Sequence, residues 1–201
     1  MLFSGQNATN TSNDVAPTIL LEIFRHIIPA RTMTTPTTSP VSLLLGDADN
    51  ELTSTRRVLE RFPDGKGDWK PHTKSRTLGQ LAAHVATLCG LGTSIIKTDG
   101  IDRSTRPPQI DANSAAELLA LFDARRAEFD AALADAGDTM LGETWSIKAG
   151  DRVLISLPKP GALRSVFLNH LIHHRAQLGV YYRLLDVPLP ILYGPTADES
   201  L

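Results

Sequence analysis

"TLGQLAAHVATLCGLGTSII", residues 77–96, carries apolar side chains at Leu78, Leu81, Val85, Leu88 and Ile95, with Gly92 in the same series. Steps of three and four residues place this series on one face of an α-helix, where each residue turns by about 100°. Thr77 stands three residues before Gln80, the arrangement of a capping box in which each side chain satisfies an orphan amide at the helix start. The stretch is therefore predicted to be a helix that must bury its apolar stripe against neighbours, and those neighbours decide the fold.

They lie on both sides of it. Upstream, "VSLLLGDADNELTSTRRVLERFP", residues 41–63, repeats the spacing through Val41, Leu44, Leu45, Ala48, Leu52, Leu59 and Phe62 before Pro63 stops it. Downstream, "NSAAELLALFDARRAEFDAALADAG", residues 113–137, repeats the cap with Ser114 and Glu117, with Leu118, Phe122, Phe129 and Leu133 as its buried face. Gly137 is its expected left-handed terminator. A fourth helix is expected from Pro160 and Gly161 to about Leu185, where "DVPLP" ends it. Four helices with apolar stripes predict an all-α four-helix bundle. Between helices three and four, "ETWSIKAGDRVLISLP" holds a Gly-Asp turn flanked by β-favouring residues, which predicts a short hairpin or an irregular crossover. The connections over residues 63–76 and 97–112 are read as loops, and loops that long often carry a site.

The first 40 residues differ in character. "MLFSGQNATNTSND" and "ARTMTTPTTSP" are rich in Ser, Thr, Asn and Pro, a composition that buries too little apolar surface to offset ordering entropy. Residues 1–40 are accordingly expected to be a poorly ordered extension, with Met33 a candidate natural start, and residues 41–201 the bundle. The intervening "VAPTILLEIFRHII" lacks the basic flank and cleavage site of a signal peptide. A net charge of −2, with scattered Lys and Arg, supplies no electrostatic footprint for nucleic acid. The single cysteine, Cys89, excludes an internal disulfide framework and fits a reducing compartment. No apolar run is read as approaching the roughly 20 residues of a membrane span. A cytoplasmic protein is expected.

Three of the six histidines fall within five positions of the fourth helix: His170, His173 and His174. Residues four apart on a helix lie one above the other, so His170 and His174 share a face on which their imidazoles can converge on one ion. Two ligands do not close a site, and a solvated polar face competes with that reading. His84, three residues after Leu81 and four before Leu88, projects from the edge of the apolar stripe into the bundle and is the candidate third donor. A hydrogen-bonded core histidine is the competing role. Three histidines with a fourth position open form the pattern of a catalytic rather than a structural divalent ion.

"DWKPHTKSRTLGQLAAHVATL", "HHRAQL" and "YYRLLDVPLPILYGPTADE", occurring in this order, resemble the DinB / YfiT-like superfamily over residues 41–201. That resemblance implies a DinB-like four-helix bundle and a metal triad of His84, His170 and His174. It also implies a divalent ion such as zinc or nickel and frequently a homodimer. In characterised members it implies metal-dependent transfer to or from low-molecular-weight thiols such as bacillithiol or mycothiol.

Around the triad, Trp69, Tyr181 and Arg175 are candidates for contacting a small-molecule substrate, with ordinary packing the competing role for the two rings. Arg183 is a second candidate anchor for an acidic thiol, and Trp145 is a ring that could line a pocket, with core packing the default role. His72 is read as a surface loop residue, with a place at the pocket mouth the competing role, and His173 and Arg175 as helix-to-loop or subunit contacts off the metal face. Cys89, about 140° around the helix from His84, is expected to be neither ligand nor nucleophile. No general acid or base can be named. A His-Glu-x-x-His metalloprotease fails because residue 171 is Leu where the general-base Glu belongs. Two function classes remain: a metal-dependent enzyme that activates a thiol toward an electrophile, and a non-catalytic metal- or ligand-binding stress-response bundle.

Overall fold

The computed structural model describes residues 40–105, 108–136 and 138–200. The expected extension over residues 1–40, Pro40 apart, lies outside the described residues, as do the Gly137 terminator and the side chains of Val41, Leu44 and Leu45. The chain forms α1 (Pro40–Leu59), α2 (Leu78–Lys97), β1 (Gly100–Asp102), α3 (Ala115–Asp135) and a 3-10 turn (Asp138–Gly142). It continues through β2 (Thr144–Ala149), β3 (Arg152–Pro158), α4 (Lys159–Ala162), a π-helical stretch (Leu163–Leu168) and α5 (Asn169–Leu184). The last three follow without a break and together make the expected fourth helix, so the four-helix bundle stands, with a small sheet added to it.

α2 is its axis. Every residue of the anticipated stripe is buried, and so are Ala82, Ala83, Ala86 and Cys89 on the other flanks. Within the stripe, Gly92 lets α3 close in: a Cβ there would stand 2.7 Å from the Phe129 ring. At 20 residues, α2 is long and apolar enough to cross a bilayer by length and composition, contrary to the expectation that no run approaches that size. The burial of 61% of its apolar window inside the protein is what the core helix of a bundle shows.

The Thr77–Gln80 capping box closes in both directions, with Gln80 N donating to Thr77 Oγ1 and Thr77 N to Gln80 Oε1, each at 3.2 Å. At α3 the device is only half made. Glu117 N donates to Ser114 Oγ at 3.3 Å, but the Glu117 carboxylate accepts from Asn113 N, one residue too early for a box. Phe122 and Phe129 are buried as expected, whereas Ala132 takes the core position expected of Leu133.

Residues 144–158 form the hairpin, turning at Gly150 (φ 58°), with β2 and β3 antiparallel. A third strand, β1, pairs parallel to β2 from within the segment expected to be a loop. Gly100 makes that pairing possible, because a Cβ there would lie 2.3 Å from Ser146 O.

Two loop segments wrap the start of α2. Leu78 N donates to Trp69 O at 2.7 Å and Gly79 N to Gly67 O at 2.9 Å. A Cβ on Gly79 would meet Ala112 O at 2.2 Å, a backbone atom with no room to yield. Gly79→Ala is therefore expected to lower stability by roughly 2 kcal/mol through overpacking, read from the urea midpoint. A loss under about 0.5 kcal/mol would mean that the close approach does not constrain the fold.

Candidate metal centre

The bundle brings the inner edge of α2 against the first two turns of α5. His84 on α2 and His170 and His174 on α5 meet there, each half-buried, with their ligand atoms all within 4.8 Å of one another. The Nε2 atoms of His84 and His170 are 3.3 Å apart. Ring centroids lie 4.6 Å apart for His84 and His174, and 4.6 Å apart for His170 and His174. A tetrahedral ion with nitrogens at 2.0–2.1 Å separates its ligands by about 3.4 Å. One edge of such a site is thus already at coordination spacing, and the donor set fits a borderline divalent ion.

Electrostatics prepares the rings as ligands. Burial, assisted by the charge of Arg76 and by the other two rings, pushes the His84 imidazolium down to about 3. Burial and the neighbouring His174 bring His170 to about 4, against an opposing contribution from the Val166 backbone. His174 is lowered by burial, against a hydrogen bond to Gln177 that favours the charged form. The two rings brought to about 3 and 4 are neutral at pH 7, and a neutral ring has a lone pair to give. The His174–Gln177 bond, Nδ1 to Oε1 at 2.7 Å, also fixes a tautomer. An amide oxygen can only accept, so Nδ1 carries the proton and Nε2 faces the cluster unprotonated.

The π-helical stretch ends two residues before His170. Ser165 Oγ donates to Gly161 O at 2.7 Å, competing for a carbonyl that an α-helix would give to a backbone amide, and Asn169 N reaches back five residues to Arg164 O. The widened turn resets the phase of α5 where the ligands begin, a placement common for π segments at functional sites.

The remaining candidates separate into two groups. Trp69 and Tyr181 meet edge to face at 5.7 Å, and the Tyr181 hydroxyl donates to Arg76 O at 3.3 Å, joining loop 63–76 to α5. Arg175, expected as a substrate anchor, points the other way. It is 2% exposed and donates to Glu51 Oε2 and Tyr193 Oη at 2.5 Å each, and to Glu51 O at 2.8 Å. Those commitments leave it a structural clamp between α5, α1 and the C-terminal tail, because its neighbour His174 occupies the face toward α2. Arg183 is paired with Asp198 on the surface. His173 is exposed, as is His72, which accepts from Lys74 N at 3.1 Å. Trp145 is fully buried in the core. Cys89 is buried with its thiol pushed up to about 12 by that burial, which removes it as a nucleophile. Gln177 and Arg76 were not anticipated. Gln177, three residues after His174, carries a readable helical spacing, whereas nothing local marks Arg76.

A family model of the DinB superfamily matches residues 49–178, a range that contains all three histidines. The chain belongs to the DinB superfamily. A DinB-like protein from Bacillus subtilis aligns at 20% identity with a TM-score of 0.57, covering 75% of this chain and 96% of that one. A DinB-like protein from Bacillus cereus aligns at 23% identity with a TM-score of 0.58, covering 75% and 95%. At these identities the likeness establishes the DinB-like fold. No curated protein matches the chain.

Proposed function

We propose that His84, His170 and His174 hold one divalent ion, zinc or nickel, with a position left open, and that the protein is a metal-dependent enzyme acting on small molecules in the cytoplasm. The observation that carries this reading is the convergence of the ligand atoms within 4.8 Å, with rings at about 3 and 4 and a tautomer oriented by Gln177. The superfamily's tendency to bind metal supports it. When bound, such an ion supplies Lewis acidity that lowers the pKa of a coordinated thiol or water.

The reaction is a thiol transfer. The thiol proton leaves to solvent, the sulfur forms a bond to an electrophilic carbon, and the leaving group departs with its electron pair. The chain's own part is to hold His84 and His170 neutral at pH 7 and to orient His174 through Gln177. A low-molecular-weight thiol is the cosubstrate, and a homodimer is the expected assembly. The absence of Asp and Glu from residues 69–98 and 152–185 favours one alternative, a non-catalytic metal- or ligand-binding bundle, because no carboxylate of these segments can act as a general base.

Metal-loaded protein mixed with small thiols and monobromobimane separates the two. Bimane conjugation is expected to run at least about tenfold above the uncatalysed rate, and His170→Ala is expected to abolish the excess. Metal uptake without any acceleration across the thiols would select the binding protein.

A further inference from the structure

A surface helix of a bundle turns charged residues to water. α3 does so with Glu117, Asp123, Glu128 and Asp130. α5 does not. Its core side holds Leu171, Arg175, Leu178 and Tyr182, and His170 and His174 occupy the side toward α2. From His173 onward the outward side consists of His173, Ala176, Gln177, Val180, Arg183 and Leu184, all exposed. Arg183 is its one formal charge, and that charge is paired with Asp198. Val180 is 60% exposed and Leu184 58%.

Four-residue steps put Ala176, Val180 and Leu184 in one row along the helix. An apolar row with no charge in it suits a protein surface better than water. The other exposed apolar run, Val153 to Ile155, is blunted by an extra residue: Val153 and Ile155 pair with consecutive residues of β2, which leaves Leu154 unmatched.

The row on α5 is complementary to itself. A two-fold axis through Val180, with α5 antiparallel to its copy, sets Ala176 opposite the partner's Leu184 and Leu184 opposite the partner's Ala176. The smallest side chain of the row thus receives the largest, as packing of ridges into grooves requires. No like charges meet, because Arg183 comes opposite the partner's Gln177. At each end the exposed His173 comes level with the partner's Asp186, an imidazole beside a carboxylate. Neither residue has an ion pair among the described residues.

We infer that the outward side of α5 is the contact face of a homodimer, with Val180 on the two-fold axis and Ala176 seated against the partner's Leu184. The inference rests on the homodimer expected above and holds with or without metal at the triad. It also lays the partner over Gln177, the residue that orients His174.

Light scattering coupled to size-exclusion chromatography at micromolar protein reads the assembly. The unsubstituted chain is expected to be a dimer. Val180→Glu sets two carboxylates against each other at the axis and should weaken the dimer by about 100-fold or more. Leu184→Glu should also yield a monomer. Both positions are exposed, so each variant should keep the native far-UV circular dichroism. Ala176→Leu should dissociate the dimer too, and adding Leu184→Ala to it should restore association, because the large and small side chains have only changed sides. A monomeric unsubstituted chain overturns both the face and the expected homodimer. A dimer that survives Val180→Glu overturns the face and leaves the homodimer standing, and a swap variant that stays monomeric overturns the antiparallel pairing.

Discussion

Alanine in place of His84 is expected to weaken binding of zinc or nickel by about 100-fold or more. Structural zinc sites with four ligands bind with roughly 10–16 kcal/mol, so one imidazole accounts for several kcal/mol, and each 1.4 kcal/mol is a factor of ten. His84 is the ligand to remove because it alone comes from α2, whereas His170 and His174 sit one turn apart on α5 and remain a two-point site. The fold should survive, since the ring is half-buried at the margin of the core rather than within it. His173→Ala is the control. That side chain is exposed, with its ring 4.9 Å from the His174 ring, and its loss should change affinity less than about threefold. Competition against a chromophoric chelator reads both variants, and equal affinities would remove His84 from the ligand set.

Glu51→Ala is expected to have the largest effect on stability, a loss of about 3–5 kcal/mol, because it strands a buried guanidinium. The Arg175 side chain is 1% exposed and the Glu51 side chain 14%, with an N–O distance of 2.5 Å. The same carboxylate accepts from the Tyr193 hydroxyl at 2.7 Å, which ties the C-terminal tail to α1. After the substitution, Arg175 keeps only neutral acceptors, Glu51 O and Thr55 Oγ1 among them. For a chain of this size the loss corresponds to a fall in Tm of roughly 6–20 °C, measurable by calorimetry. A double variant, Glu51→Leu with Arg175→Met, removes both charges and should be markedly more stable than Glu51→Ala. A drop below about 1 kcal/mol for Glu51→Ala would show that the pair is solvated and not a clamp.

The triad and the clamp meet on adjacent residues of α5, His174 in one and Arg175 in the other. Helical spacing sets Arg175 off the face shared by His170 and His174, but it leaves a contact to the chain and an anchor for substrate equally open; the structure turns His174 to α2 and Arg175 to α1. Which helix faces which is set by long connections, and periodicity carries no information about that. The legible part was local. The Thr77–Gln80 cap, the stripe from Leu78 to Ile95 and the four-residue step from His170 to His174 each follow from one turn of helix.

What was not legible depended on distant partners. β1 is three residues long and exists only because Gly100 lets it lie against Ser146. The π-helical stretch rests on a Ser165 hydroxyl competing for Gly161 O, a competition that serines in ordinary helices also offer. Ala132 is buried and Leu133 only partly so, a choice between neighbours on the helix that depends on the facing helices. His84 could be placed on the inner edge of α2, but its 3.3 Å approach to His170 required the register of two helices 86 residues apart.

Bound metal per chain, measured by elemental analysis on protein purified without a histidine tag and then equilibrated with zinc or nickel, tests the triad most directly. About one ion per chain, absent from a variant in which His84, His170 and His174 are all alanine, is the expected result. A chain that retains no ion, or one whose ion persists in the triple variant, would contradict a metal centre at these residues.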